Sequence, residues 1–186
     1  MGFSAKTAII LSLCFVSCAS GTAVRGNRPF AYLTDSAKYV LLPPDNIEYP
    51  MDMAQYISAS FMNQEYFFNA WVLADESGME MTLLNELGAN IGDLSYRNGT
   101  VSFSSPVFPK NLQPEYIVAD FQLCFYNALP LRQALEEIGL FFESTETVRR
   151  VLQGSTLIVE IKKKSGSVQL VNHLRGYMYT LVGNFE

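Results

Sequence analysis

The stretch EYIVADFQLCFYNALPLRQALEEIG, residues 115–139, is where the apolar residues of this chain switch to helical spacing. Pro114 precedes it and Glu115 places acidic charge in the first turn, as helix starts favour. A second, shorter helix is expected over residues 130–139, opened by Pro130 and ended by Gly139. On both sides of this pair the pattern returns to short apolar runs cut by turn residues, which is strand punctuation. The order is therefore strands, two helices, strands. That order predicts an α+β domain: one antiparallel sheet with about two helices covering one of its faces.

Before the helices, strands are expected over residues 38–42, 51–62, 65–74, 79–84, 91–96 and 100–104. Met53, Ile57, Ala59 and Phe61 alternate with Asp52, Ser58 and Ser60, so one face of that strand is apolar and the other polar. The run EYFFNAWVLA, residues 65–74, is apolar at both parities and predicts a strand covered on both faces. Asn98-Gly99 supplies the positive φ angles of a tight hairpin turn between residues 91–96 and 100–104. After the helices, strands are expected over 149–152, 155–162, 167–173 and 176–182. Lys162-Lys163-Lys164 falls at the hairpin tip before Ser165-Gly166, where solvated lysines are ordinary.

The N-terminus carries a different message. Lys6 is followed by an apolar or small-residue run from Thr7 to Val16, then by Ser17, Ser20 and Gly21. That run is about ten residues, against the roughly 20 needed to span a bilayer, so it reads as a secretory signal. Two cysteines lie here, Cys14 inside the run and Cys18 just after it, and position separates them. Phe15-Val16-Ser17-Cys18 resembles a bacterial lipobox, with a small residue directly before the cysteine. Cys14 follows Leu13 and does not fit. The expected division is 1–17 signal peptide, 18–37 acylated Cys18 and flexible tether, 38–186 a single domain. Several acyl chains at Cys18 would anchor the protein durably without a spanning helix. Ala19 and Ser20, with no Asp after the cysteine, resemble outer-membrane sorting in a Gram-negative envelope.

Composition narrows the chemistry. Removing residues 1–17 takes only Lys6 from 13 basic residues and leaves all 18 acidic ones, so the net charge moves from −5 to about −6. Without a concentrated basic face, nucleic-acid binding is not expected. Cys124 would be the one remaining thiol, so no disulfide frame can form within the chain. His173 is the only histidine, and no GxSxG, HExxH or phosphate-cradling glycine loop occurs. Neither an enzyme nor a cofactor is expected. The aromatic and methionine content instead fits a greasy concave sheet face, filled by side chains or by a ligand. Phe61, Trp71, Met81, Val159 and Tyr179 are the candidate lining residues of such a cavity.

Residues 81–88 (MTLLNELG), 91–96 (IGDLSY) and 116–123 (YIVADFQL), then the proline-opened helix, resemble an uncharacterised family of small bacterial lipoproteins. That family is linked to aryl polyene gene clusters and to the fold of the lipoprotein-localisation factors LolA and LolB. The resemblance, over about residues 38–183, implies a strongly curved antiparallel sheet, an incomplete barrel closed by helices. It also implies a cavity for acyl-type chains. LolB carries a protruding apolar loop between early strands, whereas the corresponding loop here, Asp75-Glu76-Ser77-Gly78, is short and acidic. Lipoprotein insertion is therefore not carried over. The expected activity is carriage of a lipid or other amphipathic molecule in the envelope. The rival expectation is a non-enzymatic interaction module with a protein partner.

Overall fold

The computed structural model describes residues 28–61 and 64–185. Cys14 and Cys18, the expected signal peptide and most of the expected tether lie outside the described residues. In chain order the strands are β1 (Phe30–Tyr32), β2 (Lys38–Val40), β3 (Met51–Phe61), β4 (Gln64–Asp75), β5 (Gly78–Leu84), β6 (Asn90–Arg97) and β7 (Thr100–Ser104). Helices α1 (Glu115–Phe125) and α2 (Ala128–Glu136) follow, then β8 (Phe141–Ser144), β9 (Val148–Gln153), β10 (Thr156–Lys164), β11 (Ser167–Asn172) and β12 (Tyr177–Val182). Ten strands form one antiparallel sheet, ordered β7-β6-β5-β4-β3-β12-β11-β10-β9-β8. β7 and β8 are its two edges, so the barrel is incomplete and the fold is α+β. The chain's two halves meet where β12 pairs with β3, each half a meander joined by tight turns.

Those turns follow from residue chemistry. Asn98 and Gly99 both have positive φ, 51° and 69°, the pair that lets β6 return directly as β7. Gly139, φ 78°, ends α2: its N–H donates to the Glu136 carbonyl and the Leu140 N–H donates to the Leu135 carbonyl. α2 begins two residues before Pro130, because the first-turn N–H that proline lacks has no intrahelical partner in any case.

Two expectations change. The ordered fold reaches back past the boundary at Lys38, since β1 pairs with β2 and Ala31, Leu33 and Ala37 are buried. β4 is not covered on both faces: Ala70, Val72 and Ala74 point inward and are buried, while Phe67, Trp71 and Leu73 are exposed. A continuous apolar run conceals which parity faces the core, and here the outward parity was apolar too.

Helix α1 is held over the concave face by polar contacts at three places. Gln122, fully buried, accepts from the Tyr39 hydroxyl (2.9 Å) and the Leu42 N–H (3.0 Å), and donates to the Leu42 carbonyl (2.8 Å). Asp120 accepts from the Tyr177 hydroxyl on β12 at 2.7 Å. At the helix end, Arg149 of β9 donates from Nη1 to the carbonyls of Leu123 (3.1 Å), Cys124 (3.1 Å) and Tyr126 (2.8 Å). Its Nη2 meets Glu48 at 2.8 Å, and Lys163 meets the same Glu48 oxygen at 3.2 Å. Lys163 is thus half-buried and paired, unlike the solvated lysine expected at that tip. Arg149→Leu strips partners from three buried carbonyls and from Glu48. It is expected to cost about 3–5 kcal/mol, read as a lower urea midpoint with unchanged m-value.

Candidate functional site

On α1, residues 117, 120, 121, 124 and 125 stand at i, i+3, i+4, i+7 and i+8, which is one face of a helix. That face does not close fully onto the sheet. Between it and strands β3 to β7 and β12 lies a cavity of about 150 Å³. Ile57 and Ala59 of β3, Phe68 of β4, Met81 and Leu83 of β5, Leu94 of β6 and Phe103 of β7 form its sheet wall. Tyr179 and Leu181 of β12 complete that wall, and Phe108 and Leu112 reach in from the loop between β7 and α1. A 150 Å³ space lined by Leu, Ile and Phe side chains is of the size that stays dry and accepts a small apolar molecule. It is well below the roughly 300–1,000 Å³ of drug-sized ligand pockets. One slender chain fits such a space; a two-chain lipid does not.

Among the lining residues, Asp120 alone is charged in type, and its environment disfavours the charge. Burial is the largest influence and pushes its pKa up to about 7. Hydrogen bonds from Tyr177 and Tyr179 and the charge of Arg175 pull the other way. Arg175 lies over the Tyr116 ring, 4.7 Å from its centroid, and donates to the Tyr32 carbonyl. The rings of Tyr177 and Tyr179 stack at 6.4 Å. Cys124 faces the same cavity, but burial pushes its thiol up to about 12, leaving it protonated and a poor nucleophile at neutral pH. Among the described residues no group of three or more His, Cys, Asp and Glu side chains could hold a metal ion.

The candidate lining residues separate. Met81 and Tyr179 line the cavity together. Val159 is fully buried and shares the inner face, in register with Asn172, but packs away from the cavity wall. Phe61 is also on the inner face, at the end of β3 opposite Tyr177, and is 43% exposed. Trp71 is misplaced: it stands on the outer face, 51% exposed, its Nε1 donating to Asp52 at 3.0 Å. Its parity is that of Phe67 and Leu73, opposite to Ala70 and Val72. Sequence reasoning missed Asp120, although the signal was available: it is the single acidic residue in the apolar stripe of α1.

An open antiparallel sheet curved about one helix, with a small apolar cavity between them, defines a cavity-bearing α+β domain. The chain belongs to the family described as "Protein of unknown function (DUF3261)", whose model matches residues 52–182. The matched span runs from β3 through β12 and contains every residue that lines the cavity. No curated protein matches the chain.

The raised pKa of Asp120 has a signed consequence. A carboxyl whose folded pKa exceeds its unfolded value holds a proton in the folded state between pH 4 and 7, so stability falls as pH rises through that window. Asp120→Asn keeps an acceptor for Tyr177 and removes the titration. Urea unfolding at pH 5 and pH 8 is expected to show wild type losing more stability than the variant, by roughly 1–3 kcal/mol. Parallel losses would assign the slope to other groups.

Proposed function

We propose that this protein is a non-enzymatic carrier, tethered to the outer membrane through acyl chains on Cys18, that shields the apolar part of an amphipathic molecule in the periplasm. The observation that carries this reading is the unfilled apolar cavity under α1. Interiors are packed near crystal density, and an empty space of this size costs stability unless something occupies it. The lipobox-like residues 15–18 supply the address, and the small cavity favours a single-chain lipid or acyl group as cargo. A role in lipoprotein or aryl-polyene lipid transport is consistent with that cargo.

A second reading, an envelope module that docks a protein partner, draws on the outer sheet face. Tyr56 and Phe67 stack there at 6.3 Å beside Trp71 and Leu73, all four exposed. Apolar clusters of this kind mark contact surfaces.

Delipidated protein is expected to take up a fluorescent fatty acid, and Ala59→Leu, which fills the cavity from β3, is expected to cut that uptake at least tenfold. Absence of uptake, together with a protein crosslinked in cells from position 71, would favour the docking module instead. Lipidation has its own check. Cys18→Ser is expected to move the protein from the membrane to the soluble fraction, whereas Cys14→Ser leaves it membrane-bound.

A further inference from the structure

The loop between β7 and α1, residues 105–114, is a strap containing Pro106, Pro109 and Pro114 that puts Phe108 and Leu112 into the cavity wall. Its hydrogen bonds lie at its two ends. The Ser105 hydroxyl donates to the Ile91 carbonyl and accepts from the N–H groups of Val107 and Phe108, and the Leu112 N–H donates to the Pro109 carbonyl. Among the described residues no hydrogen bond joins residues 106–112 to the sheet or to a helix. What seats the strap is apolar: Phe108 packs edge-on against Phe103 at 5.8 Å and Phe68 at 6.5 Å, and Leu112 enters the same space.

Phe103, Phe108 and Leu112 also line a second space of about 320 Å³, and so stand between the two. This outer space differs in chemistry. Ser104 and Ser105 line it, and Lys110 is the only charged side chain among the described residues that does so. The two spaces together have the polarity of an amphiphile: a dry inner chamber for one chain, and a polar vestibule with one positive charge.

Resting on the carrier reading, we infer that the mouth of the site lies beneath this strap, and that its ligand is a single-chain amphiphile with an anionic head. The tail displaces Phe108 and Leu112 to reach the inner chamber, and the head stays in the vestibule beside Lys110. The opposite orientation would bury an anionic head in an apolar wall whose lining, among the described residues, holds no cationic side chain to pair with it.

The test uses the full-length chain with two probes of equal chain length, decanoate and 1-decanol, titrated by calorimetry at low salt. Wild type is expected to bind decanoate about three- to fivefold more tightly, the scale of one solvent-facing ion contact. Lys110→Gln is expected to abolish that preference while leaving decanol affinity unchanged. Leu112→Ala is expected to raise the association rate of both probes in stopped flow, because the partition is thinner. Equal binding of the two probes, or a preference insensitive to Lys110→Gln, overturns the assignment of the head. A tighter grip on decanol that Asp120→Asn reverses overturns it too, and places the head at the inner end. An unchanged association rate in Leu112→Ala overturns the strap as the mouth. Failure of wild type to bind either probe would instead defeat the carrier reading itself.

Discussion

The fold depends on how the C-terminal end of α1 is satisfied. An isolated helix of eleven residues is marginal in water, and its last carbonyls have no partners within the helix. Here that end is buried, so each carbonyl needs a donor from elsewhere. The account closes. Gln122 O accepts from the Tyr126 N–H, Phe125 O from the Glu48 N–H, and the carbonyls of Leu123, Cys124 and Tyr126 share the Arg149 guanidinium. A positive group at a helix C-terminus also complements the helix dipole. Only arginine has the rigid, multi-donor head to reach several carbonyls and Glu48 together. Because Arg149 sits on β9 and Glu48 precedes β3, this one group locks helix, far wing and sheet centre into a fixed relation.

That lock explains where the cavity is. Polar contacts hold α1 toward β2 through Gln122, toward β12 through Asp120 and toward β9 through Arg149. Toward β4 to β7 the helix has apolar neighbours, and among the described residues no hydrogen bond draws it down onto them. Ala59, a small side chain near the C-terminal end of β3, leaves further room. The space is therefore a consequence of anchoring, positioned on the side where nothing polar sets the distance.

Much of the architecture was legible in residue patterns. The switch of period at residues 115–139 located both helices, and Asn98-Gly99, Ser165-Gly166 and the alternation in β3 and β5 located strands and turns. Less was legible where a local pattern is ambiguous or the contact is distant. β1 and β8 are short and gain their pairing from strands already in place. Arg149 carries no local signal of its role, because its partners lie 23 to 26 residues away along the chain, or 101 in the case of Glu48. Of the residues proposed for the cavity, Met81 stands on the buried parity of β5, a strand in which apolar and polar residues alternate. Trp71 could not be placed that way, since its run was apolar at both parities.

The two places where this sequence departs from the simplest solution for its fold are Asp120 and the outer parity of β4. Leucine at 120 would pack the apolar stripe of α1 without desolvating a carboxyl, and serine or lysine at 67 and 71 would suit a wet sheet face. Sequences that specify one structure keep such conflicts few, and those that persist concentrate at working surfaces. The conflicts lie on opposite sides of one sheet: Phe68, between Phe67 and Asn69, lines the cavity while Phe67 faces out. A strand that carries the cavity wall on one parity and an exposed aromatic cluster on the other gives the two surfaces a common backbone. The outer cluster and the cavity wall thus meet at β4, where Phe68 packs edge-on against Phe108.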